Sequence, residues 1–540
     1  MESLQKYSLI FDFIEEFESL IYKGFPIALF LNFQPFINIL NGNGYKDKEK
    51  KDGFKNKIMN RKELQPKFDK LIAPFKKPIS REKNTGKILL YDEYNLRFTE
   101  NIYLEYFNSD TTVIIRQRSD EKEFLGLPIH CLEQYREETE KVKKEFIEKA
   151  RKIFLSNQNH PFFKIPGVQK RFYLQMNFII DWLTATINYF AHHSISCVIV
   201  GGIADHISRM LVLVSSFKGI PSICLQHGII AEDRGWLPTL ASKEAVYSLY
   251  EKEFYKSAGL EEDRIEVIGH PKYDKIFTMT YMNKNDFCEK TGISKDKKTL
   301  LFATQAYKLK IHFLEQLIKN LIRYGFEIVI KPHPSEVRTG LYKSYEDLAR
   351  KYEQVKLIIY TIDLYDIIKN VDIVCVYYST VGLESTLFGK PVIYLTKEKH
   401  EGANYDYIQT LHSIPSKPHT IANLIKNKAI NNNPSTLIKS EREKLLSKVY
   451  PQKLAGKKLS DLIYQLTAVR SYTLPLGIIE GMLLRGQNDN IYIIENGMKR
   501  HITSINKLAQ IGLNLESAQI IDEEIIRKIP SGEVINPSDD

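Results

Sequence analysis

The chain has 540 residues, 43% hydrophobic and 26% charged, the balance of a soluble globular protein long enough for several domains. Its net charge of +10 is local: residues 45–87 hold 15 Lys or Arg against 6 Asp or Glu, and the other residues set 61 basic side chains against 60 acidic ones. The opening MESLQKYSLIFDFIEEF carries acids inside its apolar stretch, and no apolar run approaches about 18 residues, so neither a secretory signal nor a spanning helix is expected and a cytoplasmic protein is.

Residues 5–40 place Phe11, Ile14, Phe17, Leu20 and Ile21 at steps of three or four, the spacing of one or two amphipathic helices. The basic stretch that follows makes residues 1–85 read as a helical N-terminal extension. Its charge suits an anionic membrane surface or a solvated linker. With few aromatics and no recognised module, no nucleic acid is expected. A regular α/β pattern starts at Lys87. KILLYDEYN and TTVIIRQR are predicted strands, TENIYLEYF a helix, and residues 131–155 a charged helix. QKRFYLQMNFIIDWLTATINYFAHH is a more buried helix leading to the strand SCVIVGG. PSICLQHG and RIEVIGHPKYD are further strands running into loops, and residues 277–297 form a connection. The pattern restarts with KTLLFATQ, FEIVIKPHPSE, VKLIIY, DIVCVYYST and PVIYL as strands, with helices between them. Two such series predict two Rossmann-like domains, residues 86–280 and 281–470, facing a cleft, with ligands at the carboxyl ends of parallel strands. Residues 478–535 are a small α+β module with a hairpin at Glu495-Asn496-Gly497.

The polar motifs cluster at strand ends. In LQHG, Gln226 and His227 are expected to point into the cleft. His227 suits a general base, a phosphate ligand or a turn cap. Glu232 and Asp233 put two carboxylates in the next loop, where one could deprotonate an acceptor hydroxyl or both could simply be solvated. Lys331 and His333 alternate along KPHPSE and suit a phosphate. Ser379 and Thr380 end a strand where Gly382 opens a helix, a pattern that serves as an anion site or an ordinary N-cap. Glu384, one turn in, could accept from ribose hydroxyls. Gly269 and His270 of GHPKYD line the domain junction. The cysteines Cys131, Cys197, Cys224, Cys288 and Cys375 lack metal-ligand spacing and read as buried thiols. Without a Walker loop, GxGxxG or metal constellation, catalysis with no bound metal or cofactor is the simpler expectation.

LQHG, IGHPKYD, IKPHP and YSTVGLESTLFGKPVIYL stand in the order seen in bacterial capsule and surface-polysaccharide transferases of the GT-B fold, which this chain resembles over roughly residues 87–465. The resemblance spans two branches, sialyl- and Kdo-type transferases using CMP-sugars and CDP-glycerol glycerophosphotransferases. In both it implies that His333, Ser379 and Thr380 hold the nucleotide's phosphates. In the first branch an acidic motif supplies the base. Its nearest match is Glu232-Asp233-Arg234-Gly235, with an arginine inserted. In the second a His-Gly element supplies it, which implies His227. UDP-sugar 2-epimerases are also similar, although their Ser-Gly-Gly signature is absent. The expectation is an inverting transferase of surface or capsular polysaccharide synthesis, moving a sugar from a nucleotide-sugar donor, a CMP-linked acidic sugar, to a glycan or lipid-linked acceptor. A glycerophosphotransferase, an epimerase-like enzyme and a non-catalytic glycan-binding scaffold are the alternatives.

Overall fold

The computed structural model describes residues 2–42, 53–79, 86–93, 95–233, 235–305, 310–377, 379–395, 402–405, 417–431 and 436–535. The N-terminal segment is helical, as expected, and it packs into the core. The helix Glu2–Glu16 is buried nearly all round, with Phe11, Phe13 and Phe17 at 0% exposure. Phe13 packs against Phe36, Phe163 and Phe172 at ring distances of 4.7–6.1 Å, and Phe17 lies 4.9 Å from Phe154. Ile21, expected on the apolar face, is instead exposed in the short ribbon β1 (Ile21–Tyr22) and β2 (Phe25–Pro26).

A buried carboxylate fixes the next piece of chain. Asp12 accepts from the backbone N–H groups of Lys55 and Asn56 at 3.0 and 2.8 Å and contacts His160 Nε2 at 3.0 Å. A buried acid is tolerated only with partners of this kind. The basic stretch is tied down in the same way: Lys55 pairs with Glu16, Arg61 with Asp233, Lys67 with Glu15 and Lys76 with Asp69. These cations face the protein's own acids. Residues 43–52 and 80–85, which carry much of the remaining basic charge expected to face an anionic membrane, lie outside the described residues.

The first sheet contains β3 (Lys87–Tyr91), β4 (Thr112–Arg116), β5 (Glu123–Phe124), β6 (Leu127–Cys131), β7 (Ile195–Val200), β8 (Ser222–Leu225), β9 (Lys243–Val246) and β10 (Ile265–Val267). Its order is β10-β9-β8-β7-β3-β4-β6-β5, with only the β5–β6 pair antiparallel. The chain runs outward from β3 on one side and from β7 on the other, so the β3–β7 junction is the switch point where such sheets bind ligands. All six residues of β7 are buried, because helices cover both faces. The helix Pro166–His192, with Pro at its start where no N–H is missed, lies between this sheet and the N-terminal helix. Strand β6 was not expected. The helix predicted for residues 131–155 begins only at Glu140, and Leu127, Ile129 and Cys131 alternate inward around Pro128 and His130, which interrupt the apolar run.

The second sheet contains β11 (Thr299–Ala303), β12 (Glu327–Lys331), β13 (Val355–Leu357), β14 (Ile373–Val376) and β15 (Val392–Tyr394), all parallel, in the order β13-β12-β11-β14-β15. Its switch point lies between β11 and β14. The helix Ala455–Thr467 then returns to the first sheet, where Leu459, Leu462 and Ile463 join the core formed by Ile88, Cys197 and Ile223. Asp274, after β10, accepts from its Ala455 and Gly456 N–H groups at 2.7 Å each. Residues 281–470 are therefore not one packing unit.

The C-terminal module has β16 (Leu483–Arg485), β17 (Ile491–Glu495), β18 (Met498–Ile502) and β19 (Gln519–Ile520) in the order β18-β17-β16-β19. Asn496 and Gly497, at φ 55° and 71°, make the turn between β17 and β18, as the Asn-Gly pair predicts. The module docks through Lys499, whose ammonium lies 3.2 Å from the buried Glu105 carboxylate, and through Ser531, which donates to the same acid. No helix among the described residues is long and apolar enough to cross a membrane. All five cysteines are buried.

Candidate active site

His227 stands two residues beyond β8, at the carboxyl edge of the first sheet. Its Nδ1 lies 2.6 Å from the Gly201 carbonyl at the end of β7. A carbonyl only accepts, so Nδ1 carries the proton and Nε2 keeps its lone pair. The ring stacks on Trp236 at 4.7 Å and 17°. A Cβ on Gly202 would come within 3.1 Å of Nδ1, so a side chain there would press the imidazole off the loop by a few tenths of an ångström. Burial lowers the imidazolium pKa to about 4, the Gly201 carbonyl opposing this and the charges of Arg97 and Lys272 adding to it. His227 is therefore an oriented, neutral imidazole at physiological pH, the state a general base requires.

The neighbouring motif residues mostly serve structure. Gln226 is buried and fully engaged: its amide donates to Gly228 O and Glu251 at 2.8 and 3.0 Å and accepts from Tyr247 N. Gly269, at φ 82°, passes so close to Tyr450 that a Cβ would meet its hydroxyl at 2.4 Å. His270 is fully buried and caps the turn Pro271–Tyr273 by accepting from Lys272 N. Burial first, then Lys272, His227 and Arg97, hold it well below the usual histidine range. Gln226 presents no free polar edge to a cleft as expected, whereas His270 keeps a buried Nε2 without a hydrogen-bond partner among the described residues.

Two cations that the motifs did not single out lie beside His227. Arg97, at φ 54°, donates to the His227 carbonyl at 3.1 Å. The ammonium of Lys272 lies 4.5 Å over the Tyr273 ring, with no carboxylate within ion-pair distance among the described residues. Burial lowers its pKa to about 8, with Glu384 pulling the other way and Arg97 and Lys275 pushing further down. An unpaired cation of this kind, beside a histidine at a switch point, can hold a phosphate.

The acidic pair divides. Asp233 is 1% exposed and receives Arg61 through both guanidinium nitrogens at 2.8 Å, with Lys6 at 3.4 Å. Burial alone would raise its pKa, but hydrogen bonds from Arg61 and the charges of Lys6 and Arg61 outweigh it and hold the carboxyl below its ordinary value. It anchors the N-terminal segment to the loop after β8. A carboxylate clamped in this way is a poor proton acceptor, which corrects the expectation for Asp233. Glu232 is half-buried beside it, and Arg234 lies outside the described residues.

Across the junction, Lys331 ends β12, but its ammonium donates to the carbonyls of Ile359 and Ile362 at 2.6 and 3.0 Å. It ties two loops together and does not reach for a phosphate. His333 is exposed and caps the six-residue helix Pro334–Thr339, its Nδ1 accepting from Ser335 N while Glu336 returns a bond to His333 N. Ser379 caps the helix Thr380–Leu387 by accepting from Val381 N at 3.3 Å. Thr380 is its half-buried first residue. Gly382 is buried, its N–H bonded to Ser379 O and its Cα pressed on Tyr394, so its N–H is not available to an anion. Glu384 is buried between the sheets, close enough to Lys272, Tyr273 and Tyr365 to perturb all three.

The two carboxyl edges meet. Gly402 and Ala403, beyond β15, donate to the carbonyls of Ala231 and Ile230, and Tyr405 donates to Glu251 at 2.7 Å while accepting from Ile230 N at 3.0 Å. The strap of residues 402–405 thus closes over the loop that follows His227. No sequence signal marked Tyr405 or Arg97, whereas Lys272 sat inside the quoted GHPKYD.

Residues 239–447 match the family model described as CDP-Glycerol:Poly(glycerophosphate) glycerophosphotransferase. That segment contains Lys272, His333 and Ser379 and begins after His227, Glu232 and Asp233. No curated protein matches the chain. Among solved structures, the chain is similar to the wall teichoic acid polymerase TagF, at 14% identity and TM-score 0.42, over 71% of this chain and 89% of that one. It is also similar to UDP-GlcNAc 2-epimerase from Neisseria meningitidis, at 13% and TM-score 0.43, over 70% and 99%. A glycosyltransferase from Rickettsia africae gives 12% and 0.43, over 71% and 99%. Residues 239–447, from β9 through the second sheet, are thus similar to the glycerophosphotransferase domain, within a chain whose two largely parallel α/β sheets meet at their carboxyl edges.

Proposed function

We propose that the chain transfers a polyol phosphate unit, glycerol phosphate in the simplest case, from a CDP-activated donor to a hydroxyl of a growing surface polymer. The match of residues 239–447 carries this reading, and the geometry around His227 supports it. The acceptor hydroxyl gives its proton to His227 Nε2. Its oxygen attacks the donor phosphorus that bears the polyol, the bond from that phosphorus to the bridging oxygen breaks, and CMP leaves with the electron pair. Lys272, with Arg97 beside it, offsets the charge that develops on the phosphates. His333 and the helix start at Ser379 and Thr380 would hold the nucleotide from the other side, and Glu384 would hold the Lys272 ammonium in position.

The CMP-sugar reading draws its base from the acidic motif. The Arg61 and Lys6 contacts to Asp233 weigh against it. The test is CMP release from CDP-glycerol in the presence of a glycerol-phosphate-primed acceptor, run beside a CMP-linked acidic sugar and UDP-N-acetylglucosamine. Release from CDP-glycerol alone is expected. Turnover of only the CMP-sugar, or of only the UDP-sugar, would overturn the assignment.

A further inference from the structure

A cavity of about 350 Å³, at the small end of ligand pockets, lies behind the two loops that hold His227. One wall is N-terminal, with Ile10, Gln34 and Ile37; the other includes Ile203, Arg209 and Glu232. Ile203 follows Gly202, which lies against the His227 ring, and Gly235, also in the wall, precedes the Trp236 that stacks on it. Two polar atoms of the lining lack hydrogen-bond partners among the described residues. One is a donor, Arg209 Nε, on a side chain 8% exposed whose other nitrogens reach the carbonyls of Leu29 and Ile203. The other is an acceptor, Gln34 Oε1, whose amide nitrogen is already given to Asn38. A buried donor and a buried acceptor without partners, on two side chains of one lining, call for a group that both accepts and donates, which a hydroxyl does.

The charges of the lining cancel. Lys6 and Arg209 stand against Glu232 and Asp233, and Lys6 already pairs with Asp233 at 3.4 Å. A phosphate gains little there. Lys272, the cation proposed to meet a phosphate, is not part of this wall. We propose that the cavity seats the hydroxyl-bearing terminal unit of the acceptor, a polyol or sugar, and that the N-terminal segment is in the protein to build this wall. The identity of the ligand as acceptor rests on the function proposed above; the polyol site itself does not.

The test uses the full-length protein. Saturation-transfer NMR with glycerol, sn-glycerol 3-phosphate and N-acetylglucosamine reads binding without turnover, and acceptor KM and CDP affinity are measured in parallel. Ile37→Phe fills the cavity and Gln34→Leu removes the acceptor atom. Both should abolish the NMR signal and raise acceptor KM at least tenfold with CDP affinity unchanged. Acceptor KM within twofold of the parent in both variants, no signal from any probe, or a signal from the phosphate ester alone would overturn the proposal. If the parent binds glycerol and both variants do not, yet CDP-glycerol is never turned over, the site stands and the transferase assignment falls.

Discussion

Replacing His227 by Gln removes the base but keeps an amide able to donate to the Gly201 carbonyl 2.6 Å away. With a pKa of about 4 in the free protein, the imidazole is in its base form at pH 7 by about a thousandfold. Its loss therefore costs the full general-base contribution, about 10²–10⁴ in kcat. The lower end is expected, because a base of such low pKa pulls weakly on a hydroxyl proton. The same pKa sets the acid limb. In kcat/KM, which reports the free enzyme, activity should fall below about pH 4, well under the 6.5 of an ordinary histidine. A donor's phosphates bound beside Arg97 and Lys272 offset the charges that help depress this pKa, so in kcat the limb should move upward. Steady-state CMP release from pH 3.5 to 9, on parent and His227→Gln, reads both. If the variant keeps kcat within threefold, or shows the parent's acid limb, His227 is not the base.

Lys272→Met should weaken CDP binding by roughly 1.5–3 kcal/mol, the value of a charge-assisted contact, in calorimetric titration. In the parent the cation is lost as pH rises through its pKa of about 8, so kcat/KM should fall above pH 8, and this limb should vanish in the variant. Arg61→Ala strips the bidentate guanidinium from the buried Asp233, leaving Lys6 and the Tyr7 hydroxyl, and should cost about 2–4 kcal/mol in urea unfolding at pH 7. Because the folded Asp233 carboxyl lies below its unfolded value, its contribution is present above about pH 4 and is lost as pH falls through the folded pKa. The cost of Arg61→Ala should therefore shrink in acid, which the same unfolding series repeated at pH 3 checks. Phe13→Ala should destabilise by about 3–5 kcal/mol, whereas a detachable helix would show no change in melting.

Much of the architecture was legible because parallel strands buried on both faces read as continuous apolar runs, and SCVIVGG, KTLLFATQ and DIVCVYYST each mark one. The turn at Asn496-Gly497 was legible from chemistry local to two residues. The N-terminal helix was legible as a helix, but its burial on both sides was not, for a physical reason. Spacing reports the face a helix must bury, and Tyr7, Phe11, Ile14 and Phe17 are indeed buried, but Leu9 and Phe13 lie toward its other side and are buried too. A helix covered on both sides shows the same three-and-four pattern as an amphipathic one, with extra apolar positions that are easily discounted. The basic run shows the same limit. Composition counts charge but not its partners, and Glu16, Glu15, Asp233 and Asp69 are scattered along the chain.

The site shows the same limit at higher resolution. A motif identifies which residues sit at a strand end, but not which way each is already spent. Lys331, Gln226 and Gly382 fit the pattern of a phosphate or cleft residue and are consumed by Ile359 and Ile362, by Glu251 and Tyr247, and by Ser379. Lys272 fits no pattern and is left over. What separates a binding group from a structural one here is therefore the balance of donors and acceptors in the folded chain. By that measure the Asp233 clamp has a consequence for activity as well as stability: Arg61 and Lys6 hold the loop carrying Trp236, and Trp236 is the face against which His227 is set. Loosening the clamp should let the imidazole turn from Gly201, so Arg61→Ala should lower kcat while leaving the affinity for CDP, which depends on Lys272 and on the groups across the junction, as it was.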